Sequence, residues 1–199
     1  GNIEFFCPES KSIYLRSGKD VLKDILCEKV SSTPCAKIFK KELFSSFLFP
    51  QGVFFEDHAV VYKWIALCDK VVWIDQTYYY YLQRMGSTCH SINPTKRYHF
   101  FLAEYSRLSL VQNYSLFSKD ERSDLTKLIV KNSLWHFKEF MCISGYSYDK
   151  DMFKDMKGKF EKCLSLPKSD IRKGDYKRLK KIVHFWPIYF VIHFCFKKR

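Results

Sequence analysis

Phe49-Pro50-Gln51-Gly52-Val53-Phe54-Phe55-Glu56-Asp57-His58 is the stretch on which the reading of this chain turns. Phe49 and Pro50 close an apolar run, Gly52 permits a tight turn, and residues 53–55 read as a short extended piece. Glu56 and Asp57 then stand directly before a periodic apolar segment. The pattern predicts a strand-like entry into a helix with acids on its first turn, where unpaired N–H groups and the positive end of the helix dipole favour carboxylates. Two uses fit such a pair: an ordinary helix cap, or a general base held on a rigid element.

Working outward, Ala59, Val60, Tyr62, Trp64, Ile65 and Leu67 support an amphipathic helix over residues 56–69. The run Val71-Val72-Trp73-Ile74 predicts a strand over 70–75, of the kind covered on both faces. Residues 78–82, with four tyrosines in succession, read as a second strand leading into Gln83-Arg84-Met85-Gly86-Ser87-Thr88. Upstream, residues 3–6 and 12–16 are candidate edge strands. Ser17 or Asp20 can cap a helix running to about residue 29, with Val21, Leu22, Ile25 and Leu26 core-facing. Pro34 breaks that pattern. Residues 35–39 read as a short buried segment carrying Lys37, and residues 41–47 as a brief helix.

With 199 residues, 47% hydrophobic and 18% aromatic, the chain has enough apolar material for a real core, which excludes a disordered class. Its eight cysteines contain no CxxC, a scatter that fits reduced thiols in a cytosolic setting better than a disulfide framework or a zinc site. Residues 1–20 lack the basic start and apolar run of a secretory leader. The opening Gly1-Asn2-Ile3 suggests an excised portion of a longer protein. Residues 1–92 carry 11 basic against 10 acidic side chains, and residues 93–199 carry 23 against 11. The positive excess therefore sits in the second part and points to an anionic partner.

Beyond Pro94 the pattern is helical, with segments at 95–115, 118–143 and 149–164 ending near Pro167. In the tail, Lys177, Arg178, Lys180 and Lys181 precede an apolar, aromatic stretch at 182–196, followed by Lys197-Lys198-Arg199. That stretch, interrupted by His184, Pro187 and His193, is too short to cross a hydrocarbon core of about 30 Å as a straight helix. It suits either the headgroup layer of an anionic membrane or docking on the preceding helices. The fold class expected is α/β over residues 1–92 followed by a basic helical region over 93–199, mostly helical overall.

The order of signals in residues 30–92 resembles the second half of the catalytic domain of family 2 glycosyltransferases of the GT-A fold, in particular bacterial enzymes of cell-surface polysaccharide assembly. The matching residues are Ala36-Lys37-Ile38-Phe39-Lys40, the stretch from Phe49 to Asp57, and Tyr79-Tyr80-Tyr81-Leu82-Gln83-Arg84-Met85-Gly86-Ser87. Ala36 stands where the family frequently has Asn, and nothing here matches the family's N-terminal nucleotide-binding half or its Asp-x-Asp metal motif.

The resemblance implies an inverting, hexosyltransferase-type reaction. Asp57 would be the base and Glu56 would orient the acceptor. Lys37, Arg84 and Ser87 would bind substrate or diphosphate. It also implies a divalent metal, Mg or Mn, held mostly by residues outside this chain, so that the chain alone would be an inactive portion. The implied partners are a nucleotide-sugar donor, a saccharide or lipid-linked saccharide acceptor and an anionic membrane surface, with no nucleic acid. The implied location is cytoplasmic, at the inner face of the cell membrane. A basic helical module that binds nucleic acid, or a transferase remnant without turnover, are the competing classes; the first lacks a recognition motif.

Overall fold

A computed structural model describes residues 13–80, 82, 93–113 and 116–190. The chain divides into two compact units, Gly1–Ile92 and Asn93–Arg199. Among the described residues it is mostly helical, as the sequence suggested, with eight α-helices and one two-stranded antiparallel sheet.

In the first unit, strand β1 (Ile13–Ser17) pairs antiparallel with β2 (Lys70–Ile74), with Ile13 opposite Ile74 and Leu15 opposite Val72. Ser17 ends the strand and caps helix α1 (Gly18–Leu26), its hydroxyl accepting the Asp20 N–H at 3.0 Å. Val21, Leu22, Ile25 and Leu26 form the buried stripe of α1. It packs on helix α3 (Glu56–Ala66), whose Val60, Val61, Trp64 and Ile65 are buried in turn. Gly18 is where the strand–helix corner meets the far end of α3. Its N–H donates to the Asp69 carbonyl at 2.9 Å, and a Cβ there would lie 1.6 Å from the Cys68 carbonyl oxygen.

Between α1 and α3 lies a long connection broken only by the single-turn helix α2 (Leu43–Ser46). Trp64 of α3, fully buried, anchors it. The rings of Phe39, Phe44 and Phe49 stand edge-on to the indole at 5.1, 4.7 and 5.0 Å, and the indole N–H donates to the Phe47 carbonyl at 3.0 Å. Four points of attachment from one side chain hold a segment that no sheet ladder holds.

Several local expectations are corrected. Residues 35–39 are no buried strand-like segment: they form a turn and an irregular stretch in which Ile38 is fully exposed, because they have no sheet neighbour to pair with. Residues 53–55 are a turn, and Phe55 reaches the helix start with a left-handed backbone, φ 60° and ψ 37°. Residues 78–80 are irregular and exposed. Strand β2 is not covered on both faces. Ile13, Leu15, Val72 and Ile74 share one face and are exposed, since two strands make no second layer. The expected strand at 3–6 and the segment carrying Arg84 and Ser87 lie outside the described residues.

The second unit is built from helices α4 (Pro94–Asn113), α5 (Lys119–Ser144), α6 (Lys150–Leu164), α7 (Lys173–His184) and α8 (Trp186–Phe190). Two of the helix starts have a clear local cause. Ser118 and Glu121 form a capping box at α5, with bonds of 3.2 and 2.9 Å, and Asp149 accepts the Asp151 and Met152 N–H groups at 2.9 Å at the start of α6. Phe101, Phe137, Phe153, Phe160 and Trp186 form an aromatic core, with neighbouring ring centroids 4.6 to 5.9 Å apart. Ile182, Val183 and Trp186 are therefore packed inward, so this part of the tail docks on the preceding helices. Among the described residues no helix is long and apolar enough to cross a membrane.

Gly18→Ala is expected to lower the unfolding free energy by about 3 kcal/mol or more, the scale of overpacking against backbone that cannot yield. Urea denaturation, read as a fall in midpoint at unchanged slope, measures it.

Candidate functional site

Helix α3 carries Glu56 and Asp57 on its first turn, where the sequence placed them. Glu56 is exposed and Asp57 half-buried. Asp57 Oδ1 accepts the N–H of His58 at 2.7 Å, which fastens the carboxylate to the helix start and leaves Oδ2 without a partner among the described residues. His58, one residue further on, is buried. Its Nδ1 lies 3.1 Å from Ser32 Oγ, a hydrogen bond whose direction follows the imidazole tautomer. That bond ties the loop after α1 to the N-terminus of α3 across 26 residues of sequence.

The same loop carries Lys37 and Cys35. Lys37 is half-buried and donates from Nζ to the Thr33 carbonyl at 2.6 Å. Burial pulls its pKa below the usual lysine value, while the charges of Cys35 and Asp57 hold it up. Cys35 shows the complementary effect. Hydrogen bonds from Thr33 and then Tyr79 lower its thiol pKa, while burial and the Asp57 charge oppose them. Burial raises the other two thiols of this unit whose shift is resolved, Cys27 and Cys68. The fold thus brings Lys37 and Cys35 close enough to feel the charge of Asp57, and the Ser32–His58 bond ties the same loop to the same helix end.

Two residues at this site take a left-handed backbone that non-glycine residues rarely adopt: Ala36, φ 58°, between Cys35 and Lys37, and Phe55, φ 60°, just before Glu56. Each costs about 1–2 kcal/mol relative to a right-handed residue. They persist because the Trp64 cluster and the Ser32–His58 bond dictate where the loop runs. Asn tolerates this region better than Ala, because its short polar side chain can hydrogen-bond locally.

Among the described residues, Glu56 and Asp57 do not themselves make a metal site. Neighbours on a helix point about 100° apart, so the Glu56 and Asp57 carboxylates do not converge on one ion. The groups beside Asp57 are an ammonium and a thiol, where Mg would demand hard oxygens.

Of the sequence candidates, Lys37, Glu56 and Asp57 lie in this region, while Arg84 and Ser87 fall outside the described residues. Cys35, Ser32, Thr33, His58 and Tyr79 were missed as site residues. His58 adjoins the acidic pair and was open to notice; nothing local marked the others.

Comparison with known proteins gives one partial similarity. Over 54 residues, 27% of this chain, the sequence is 39% identical to the glycosyltransferase GlyG of Streptococcus pneumoniae serotype 4, and the match spans 18% of that protein's length. No protein-family profile matches the chain. No solved structure matches it either. The chain thus has a distant, partial likeness to a glycosyltransferase.

Ala36→Asn is expected to stabilise the chain by about 1 kcal/mol, the part of the left-handed penalty that Asn escapes; thermal and urea melts measure it. Because its thiol pKa is lowered, Cys35 holds more thiolate at neutral pH than an ordinary cysteine. Iodoacetamide should therefore label it ahead of Cys27 and Cys68, with a rate–pH profile displaced to lower pH. Thr33→Val should move that profile up, as followed by peptide mass spectrometry.

Proposed function

We propose that this chain is part of an inverting glycosyltransferase of the family 2 type, in which the α3 N-terminus presents the catalytic base to an acceptor hydroxyl. The observation that carries the reading is Asp57 itself. It is fastened through Oδ1 to the helix start, open at Oδ2, and within electrostatic reach of the half-buried Lys37. Together with the partial likeness to GlyG, this arrangement favours group transfer from an anionic donor to an alcohol.

The step runs as follows. Asp57 accepts the proton of the acceptor hydroxyl as its oxygen attacks the anomeric carbon. The bond from that carbon to the diphosphate oxygen breaks, and the nucleoside diphosphate leaves with the electron pair. Negative charge grows on the leaving group, and Lys37 is proposed as the cation that offsets it. Glu56, exposed one residue earlier, would orient the acceptor, and Arg84 and Ser87 are proposed as further diphosphate contacts.

The donor is proposed to be a nucleotide sugar and the acceptor a saccharide, free or lipid-linked, of a cell-surface polysaccharide. The exposed apolar face of Ile13, Leu15, Val72 and Ile74 supports a further layer in the intact enzyme, since sheet faces of this kind pack against another element. We read that layer as the donor-binding half, which would also bring the divalent ion that the resemblance implies.

In the intact protein, Asp57→Asn is expected to reduce kcat by about 10²- to 10⁴-fold, the range for removing a general base. Donor affinity should stay close to wild type. Transfer of labelled sugar from a nucleotide-sugar pool measures the first and equilibrium titration the second. Turnover at the wild-type rate would show that Asp57 is not the base.

A further inference from the structure

Helix α7 has two unlike faces. Asp175, Leu179, Ile182 and Val183 are buried. The exposed side carries Lys173, Lys177, Lys180, Lys181 and His184, at i, i+4, i+7, i+8 and i+11. Residues at those spacings share one side of a helix, so four lysines and a histidine form a stripe roughly 18 Å long at 1.5 Å per residue. No acid interrupts it. Asp175, the acidic residue of this helix, is buried and paired with Arg172 and Arg178. Lys168, from the preceding turn, lies with Lys180 over the Tyr176 ring, at 5.7 and 5.5 Å, which brings one more cation to the same region.

At the C-terminal end of the stripe the character changes. The helix stops at His184, and two large apolar side chains follow in the open: Phe185, 58% exposed, and Ile188, 62% exposed. Trp186 between them is turned into the aromatic core, where it contacts Phe137 and Phe153. The inward residue satisfies the fold. The two outward residues leave more than half of their surface exposed.

We infer that this face of α7 and the start of α8 is a docking surface for an anionic lipid bilayer. Lysines would meet the headgroup charge while Phe185 and Ile188 enter the headgroup–acyl boundary. Charge complementarity selects an anionic partner. The exposed apolar pair selects a bilayer over a nucleic acid, whose phosphate surface gives an isoleucine nothing to enter. Attachment lies on the surface and involves no crossing. The inference stands on the second unit alone and does not depend on the transferase reading.

The test is co-sedimentation of the full chain with vesicles of phosphatidylcholine, alone or mixed with phosphatidylserine. Binding is expected only to the mixed vesicles and should weaken with salt. Two variants probe the two components separately: Lys177→Glu with Lys181→Glu, and Phe185→Ser with Ile188→Ser. All four positions are exposed, so circular dichroism and the melting temperature should not change. Each pair should weaken partitioning by about tenfold or more. The inference is overturned if the chain ignores the mixed vesicles, binds both kinds equally, or keeps its affinity in either variant. Competition by duplex DNA together with an inert Phe185/Ile188 pair would make the stripe a nucleic-acid surface instead.

Discussion

The first unit depends on one side chain. Trp64 faces the long connection between α1 and α3, most of which has neither sheet nor helix to hold it. Loops of that length survive in compact proteins when they pack by their own side chains. Here Phe39, Phe44 and Phe49 do so against a single indole, and the indole N–H takes the Phe47 carbonyl, so the loop satisfies a buried donor as it covers an apolar face. Edge-on ring contacts are directional, and three of them from different parts of the loop define a path as well as a surface.

From that path follows the geometry of the site. Once residues 39–49 are pinned, the chain on either side has little freedom. Residues 31–37 are drawn over the α3 N-terminus and fastened by the Ser32–His58 bond. The turn through Gly52, φ 70°, delivers Glu56 and Asp57 to the same end of the helix. The left-handed residues Ala36 and Phe55 are the local cost of closing both approaches, and they flank the groups proposed to act. A half-buried ammonium beside a half-buried carboxylate results, the ammonium lowered by burial and held up by the charges of Cys35 and Asp57.

The second unit solves a simpler problem by other means. Helices α5 and α6 start at strong local caps, and the unit shares an aromatic core that closes on Trp186. The excess of positive charge is carried largely on outward faces, where water pays its solvation. Such a surface adds little to stability but much to the choice of partner. The two units thus divide the labour proposed for the chain: a rigid helix end bearing reactive groups in one, an anion-seeking face in the other.

Residues whose structure is decided by near neighbours were legible without coordinates. Ser17, offered beside Asp20, marked the start of α1, the helical pattern marked segments beginning at 118 and 149, the periodic apolar stripes marked buried faces, and the β-branched run marked β2, because caps and periodicity act within a few residues. The acids at the start of α3 belong to the same class, as does the charge asymmetry between the halves. What the sequence could not decide is what depends on distant partners. That Lys37 meets Asp57, that Ser32 holds His58, that Cys35 is tuned by Tyr79, and that the Val71–Ile74 strand keeps an exposed face all require residues 20 or more apart to meet. Such meetings leave no periodic trace in a single chain, because they are selected by the packing of rings around Trp64 and by the number of strands available, both properties of the assembled fold.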